Sequence, residues 1–385
     1  MNIVLLLLCV LLLFYIMCEG FETLVLPRRI ERPLRGTLVF YKTLWHAYRA
    51  LARVLPPAAR DNFLATFGPF SLLALLVVWA SGMILAFAGI GWSLRLPIHS
   101  PEAVPGFVTY LYLSATTFIT LGFGDVSPLS TAGRFLSDAE AGVGFGFLAI
   151  VIGYLPVLYG AFARREVLIA LLDARASSPP SAGELLRRYA GCMSCGDITD
   201  LPEFLRDWEK WCAELLESHL SYPVLMFYRS QHDRQSWLSA LTTILDTCAF
   251  IISSLPQGPV WQARLTFAMA RHAAVDLMLV FGVEPSRPPV DRLPPEGLAI
   301  LHKLITDAGT AFNENEEAVV RLTELRTLYE PYVTFLSKRL AQPLPDWLPN
   351  DDLPDNWQTS VWDREDHFFE TRPRRRTGAA KPGSP

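Results

Sequence analysis

The sequence predicts an all-α membrane protein with a helical soluble half, and three observations carry that prediction. Long charge-free apolar runs crowd the first 165 of the 385 residues. Beyond them, apolar residues recur at helical rather than strand spacing. The composition is just over half hydrophobic with a net charge of −4, which gives no electrostatic footprint for nucleic-acid binding.

The charge-free runs are justified in order. A helix needs roughly 20 apolar residues to cross a hydrocarbon core of ~30 Å. Residues 2–18 carry no charge and sit at the low end of that range, so 1–18 is read as an N-terminal transmembrane helix. The alternative, a cleaved leader, lacks both a basic start and a small-residue cleavage pattern. Residues 62–94 and 141–163 are also free of Asp, Glu, Lys and Arg, giving an outer helix at 70–92 and an inner helix at 132–163 within a domain at 67–165. Between them, the uncharged stretch 103–124 contains Pro105, several Ser and Thr, and two glycines at its end. It reads as a re-entrant segment, tolerated at membrane depth only inside protein or along water.

Charge placement orients these spans. Between Glu19 and Thr66 stand Arg28, Arg29, Arg32, Arg35, Lys42, Arg49, Arg53 and Arg60 against four acids, and Arg164 and Arg165 follow the last span. Excess basic charge marks the cytoplasmic side. The expectation is a multi-pass protein of the cell's inner membrane, N-terminus outside and C-terminal half cytoplasmic. Residues 19–66 become a basic cytoplasmic linker. Within it, 34–56 mixes basic and apolar residues, as either an interfacial amphipathic helix or a linker helix packed on protein.

The chemistry lies at 117–125, Thr-Phe-Ile-Thr-Leu-Gly-Phe-Gly-Asp. Gly122 and Gly124, spaced by two, suit a backbone of alternating conformations, some with positive φ, that glycine reaches without steric cost. Such a backbone can turn successive carbonyls one way and replace the hydration shell of a monovalent cation. The carbonyls of Thr120, Leu121, Gly122 and Phe123 would form the stacked sites, with the Thr120 hydroxyl at the inner end.

These residues resemble the potassium-channel pore family. Its pattern, Thr-x-x-Thr-x-Gly-Tyr/Phe-Gly-Asp, is met at Thr117, Thr120, Gly122, Phe123, Gly124 and Asp125, and Gly133-Arg134 resembles its start of the inner helix. The resemblance covers about residues 70–165. It implies a homotetramer passing potassium through a filter at 120–124, with a pore helix at 108–119 whose C-terminal dipole favours a cation. It further implies that Thr117, Asp125 and Tyr112 support the filter, Tyr112 standing where many members carry an indole that bonds this aspartate. Thr116 occupies the place of a second acid in some members, Ile119 that of a frequent threonine, and Phe123 that of the commoner tyrosine. Gly144 falls at the family's flexible hinge, and Pro156 at a gating kink. Helix packing is the other reading of Gly144 and the favoured one for Gly142, Gly146 and Gly153. Arg134 and Asp138 are spaced for an i,i+4 pair, with Glu140 close by. No span carries arginines at every third position, so a voltage sensor is not expected.

Residues 166–345 read as a helical cytoplasmic domain, with Trp237, Leu241, Ile244, Leu245, Cys248 and Ile252 forming a core stripe. No Gly-rich phosphate loop or strand–helix alternation marks a nucleotide module, so its ligand is unspecified. Cys192 and Cys195 have ligand-like spacing, and Cys212 and His219 could complete a set of four. The pattern is not a familiar zinc site, and buried or loop thiols are preferred; no cofactor is expected beyond potassium as the permeant ion. The run Arg229–Gln235, with its His232-Asp233 pair, reads as a solvated turn. Residues 346–385 form a Pro- and Trp-rich, then disordered, tail. Passive conduction without catalysis is the leading function. The alternatives are a potassium-transporter subunit, or a membrane-tethered sensor with a vestigial pore.

Overall fold

The computed structural model describes residues 2–25, 36–101, 104–194, 200–232, 234–255, 258–282 and 290–350. Arg28, Arg29, Arg32 and Arg35 of the basic linker, Asp233 and the tail from 351 onward lie outside the described residues. The chain is an all-α membrane protein. Among the described residues the sole strand pairing is the short antiparallel match of β1 (Ile98–His99) with β2 (Ser127–Pro128).

Helix α1 runs Ile3–Leu24, capped by the Asn2 side chain accepting from Leu5 N at 3.3 Å. It lies antiparallel along α4 (Phe67–Ser93): Asn2 N donates to Ser93 O at 3.3 Å, and Cys9 and Ile16 nestle against Gly89 and Gly82. Small residues at that seam let two apolar helices close on each other, which is how helices associate where water supplies no hydrophobic drive. The expected end at residue 18 falls short of Leu24 by nearly two turns. The extension places Glu19, buried, over the start of α2 (Gly36–Ala52), where it accepts from Gly36 N at 3.3 Å and Thr37 N at 3.0 Å. A carboxylate on a helix N-terminus satisfies otherwise orphaned donors and meets the positive dipole end.

Helix α2 packs on protein with one face only. Trp45 is buried, its ring 4.6 Å from Phe67, and its Nε1 donates to the Arg339 carbonyl at 2.8 Å. Leu38, Val39 and Leu51 remain exposed on the other face. A short α3 (Pro57–Ala65) leads into α4.

Helix α5 (Phe107–Phe118) packs between α4 and α6, and α6 runs from Thr131 to Ala176 without a break. Ser130 caps α6 by accepting from Gly133 N at 3.1 Å. The expected inner helix at 132–163 is thus only part of a 46-residue helix. Its last turns leave the apolar run at Arg164 and bury Ile169, Leu172 and Ala176 in the core of the C-terminal half.

That half contains α7 (Ala182–Ser194), α8 (Asp200–Ser221), a 3-10 turn (Pro223–Phe227), α9 (Trp237–Ser254), α10 (Val260–Leu279), α11 (Pro295–Asp307), α12 (Glu316–Thr327) and α13 (Glu330–Leu340). Helix α9 is long and apolar enough to cross a bilayer, yet nearly every residue is buried among its neighbours, with α10, α12, α7 and α13 against it. A helix apolar all round belongs in a core when protein surrounds it. Its one buried acid, Asp246, accepts both guanidinium nitrogens of Arg292 at 3.1 and 2.6 Å and the Tyr329 hydroxyl at 2.5 Å. This network ties the segment around residue 292 to α9 and α13.

The 3-10 turn plugs the C-terminal half into the membrane helices. Val224 and Leu225 share a buried cluster with Leu72 and Leu75 of α4 and Tyr154 and Leu158 of α6. Phe227 lies 5.1 Å from both Trp45 and Phe67, and the Tyr228 ring fills the space left by Gly68.

Candidate functional site

The site begins where α5 stops. Thr120 (φ 57°), Gly122 (φ 55°) and Gly124 (φ 82°) are left-handed, while Leu121 and Phe123 between them are not. Every second residue is inverted, and such alternation turns successive peptide carbonyls toward one side of the strand. Positive φ at Gly122 and Gly124 is what glycine is for; at Thr120 it is strained. The strain at Thr120 has no signal in the sequence beyond the threonine itself.

Thr116 holds the strand. Its carbonyl accepts from Leu121 N at 2.8 Å and from Gly122 N at 3.1 Å, while its own hydroxyl bonds back to the carbonyls of Tyr112 and Leu113 at 3.0 Å. In the sequence this position is marked only by the missing acid; the anchor is main-chain and carries no side-chain signature. Thr120 N donates to Thr117 O at 3.0 Å, and the Thr117 hydroxyl has no partner among the described residues. Tyr112 Oη lies 3.2 and 3.0 Å from the two Asp125 carboxylate oxygens and donates to them. The phenol thus reaches the acid as an indole would. The residues from Ile119 to Asp125 are exposed on this single chain.

Behind the strand, Gly144 of α6 abuts the end of α5. A Cβ there would stand 2.0 Å from the Phe118 carbonyl oxygen. The structure therefore explains Gly144 by close approach. The packing expected at Gly142, Gly146 and Gly153 is not met within the chain, where an added Cβ has nothing within 4 Å. Pro156 lies inside α6, which continues through it.

The expected Arg134–Asp138 pair is absent: both side chains are exposed and form no ion pair among the described residues. An exposed pair gains too little to hold two side chains in one geometry. The buried acid is instead Glu140, bonded to Ser114 of α5, whose hydroxyl is also 2.8 Å from Ile84 O of α4. Three helices meet on that one serine.

A second polar centre lies where α6 enters the C-terminal half. Arg165, buried, donates to Glu166 at 2.9 Å, to the Leu225 carbonyl at 3.0 Å and to the Tyr228 carbonyl at 2.9 Å, and Trp211 Nε1 donates to the Arg165 carbonyl at 3.0 Å. His219 meets Arg165 Nη1 through Nε2 at 3.2 Å and the Leu215 carbonyl through Nδ1 at 2.9 Å. Burial, and then the Arg165 charge, hold its imidazole well below its usual range. The ring is neutral, with its proton assigned to Nδ1. Both nitrogens are occupied and one faces a cation, so His219 does not complete a metal set; Cys212 is buried in the core. The Cys192 side chain and Cys195 lie outside the described residues. Among the described residues no three His, Cys, Asp or Glu side chains converge as metal ligands.

Comparison with known proteins agrees with this geometry. Residues 73–158 match the family model described as "Ion channel". "Protein LctB" of Geobacillus stearothermophilus is 34% identical over 90 residues, and "Protein LctB" of Bacillus caldotenax 33% identical over 90. Each match takes in 21% of this chain and 66% of the relative, so the chain spans just under two thirds of their length. No solved structure matches the chain. Most of α4, all of α5, the strand at 120–124 and the first part of α6 fall inside the matched segment, and residues 73–158 are therefore similar to the ion-channel family, within a membrane protein.

Proposed function

We propose that this chain is one subunit of a homotetrameric, potassium-selective channel that conducts passively. The observation that carries the reading is the left-handed alternation at Thr120, Gly122 and Gly124, the backbone a carbonyl-lined cation filter requires. One chain supplies one such strand, and its open face calls for further copies around an axis. Phe145, Leu148, Ile152 and Tyr159 leave an apolar stripe of α6 uncovered by the chain's own helices, as a pore wall or subunit contact would. Thr117, Tyr112 and Asp125 brace the filter, and bending at Gly144 or Pro156 opens the lower pore.

The antiparallel packing of α1 on α4 sets Asn2, Ser93 and the outer end of the strand on one side, and α2, α3 and the C-terminal half on the other. With Lys42, Arg49, Arg53 and Arg60 on the second side, the N-terminus is outside and the C-terminal domain is cytoplasmic, in the inner membrane. That domain, joined to the pore through α6 and the 3-10 turn, tunes opening through a cytoplasmic ligand.

The test is flux from proteoliposomes loaded with potassium or sodium. The parent protein passes potassium and rejects sodium; Gly122→Ala and Gly124→Ala insert normally and lose selective flux. Selectivity unchanged in both variants sinks the filter assignment.

A further inference from the structure

A groove of about 290 Å³ lies between the lower end of α6 and the C-terminal end of α8. Its size is near the ~300 Å³ lower bound of small-molecule sites. One wall carries the Arg164 guanidinium, and Glu214 and Glu217 also line the groove. All three are exposed, and none forms an ion pair or hydrogen bond among the described residues. Three unpaired charges of both signs lining one groove, yet not joined to each other, leave room for a ligand that carries both.

The level of the groove selects the ligand. Val157 and Ala161, which also line it, belong to the charge-free run 141–163, and Arg164 is the first charge after that run. The groove thus straddles the bilayer edge: apolar above, charged at the headgroup depth. The part-exposed Tyr222 lines it too, a residue type that settles at membrane interfaces. A soluble metabolite would not need the apolar wall, and an anionic headgroup would face two carboxylates.

The geometry points to a binding site for a zwitterionic aminophospholipid of the leaflet on the side of the C-terminal half. The phosphate is held by Arg164, the primary ammonium by Glu214 and Glu217, and an acyl chain runs along Val157 and Ala161. A primary ammonium donates charge-assisted hydrogen bonds to carboxylates, which a quaternary choline cannot. Because the site joins the lower end of α6 to α8, an occupant would brace the pore-lining helix against the C-terminal domain. The inference rests on the membrane reading of α6 and not on ion selectivity.

The test is lipid retention by the purified full chain in mild detergent, read by native mass spectrometry with phosphatidylethanolamine, phosphatidylcholine or phosphatidylglycerol added. The parent retains phosphatidylethanolamine about tenfold over the other two, the weight of one charge-assisted hydrogen bond. Arg164→Gln loses retention of all three. The Glu214→Gln/Glu217→Gln double variant loses the preference and gains phosphatidylglycerol. These side chains are exposed, so unchanged melting of the variants separates lost binding from lost folding. Equal retention of the three lipids by the parent, or retention by the variants matching the parent's, overturns the site. So does quantitative cross-linking of Glu217→Cys to a second copy, which would mean that protein fills the groove.

Discussion

Replacing Gly144 with alanine tests how tightly the inner helix is set against the pore helix. The new methyl would stand 2.0 Å from the Phe118 carbonyl oxygen, 2.8 Å from its carbon and 3.1 Å from its Cα. A C···O contact becomes comfortable at about 3.3 Å, so one helix must retreat by roughly 1.3 Å. The obstacle is main chain, two residues before Thr120, and cannot swing aside as a side chain would. Alanine gains about 1 kcal/mol of helix propensity over glycine, and overpacking costs about 1–3 kcal/mol, so the balance is a loss of about 0–2 kcal/mol. The larger effect is on the filter, which must follow the displaced end of α5. Gly142→Ala, Gly146→Ala and Gly153→Ala are the controls, since they meet nothing within the chain. Thermal unfolding and proteoliposome flux are measured on all four. Gly144→Ala folds and loses potassium-over-sodium selectivity. Controls that lose flux as well locate those glycines at contacts between copies. A Gly144→Ala protein with the parent's selectivity and melting temperature would refute the argument.

Three other outcomes follow from the same structure. Tyr112→Phe removes the donor on Asp125 and lowers selectivity, while Tyr112→Trp, which keeps an N–H, retains more of it; sodium leak in proteoliposomes reads both. Arg165→Met leaves buried Glu166 with only the Ser230 hydroxyl and strips the Leu225 and Tyr228 carbonyls of their donor, a loss of about 3–5 kcal/mol seen as faster proteolysis near residues 223–230. His219 is faced by Arg165, the Leu215 carbonyl, the Ser218 hydroxyl and the Trp237 ring, with Glu166 behind Arg165. Its folded-state pKa is depressed, so the unfolded chain takes up the proton first as pH falls. Stability is whole above about pH 6.5 and drops below it by at most about 1.4 kcal/mol per pH unit, and His219→Gln flattens that slope in melts taken from pH 7.5 to 5.5.

What could be read beforehand was what has a period or a spacing. Charge-free runs marked the membrane helices, and the paired glycines marked the strand at 120–124. Helical spacing on 237–252 marked a core helix that length and apolarity alone would have sent across the bilayer. Contacts made by main chain were invisible: the Thr116 carbonyl that anchors Leu121 and Gly122, and the Phe118 carbonyl against Gly144. Gly142, Gly144, Gly146 and Gly153 look alike in sequence, and only the crossing of α5 distinguishes Gly144. Helix ends are poorly legible where a charged residue has partners waiting for it. Glu19 extends α1 because it has donors to receive it, and Arg165 extends α6 because two carbonyls and a carboxylate wait for it.

The unbroken course of α6 has a mechanical consequence. Forty-six residues make a rod roughly 69 Å long. Its upper part packs against the last turn of α5, and its foot is cast into the core of the C-terminal half. Torque applied at the foot is carried along one continuous helix to the end of α5, where the strand at 120–124 begins.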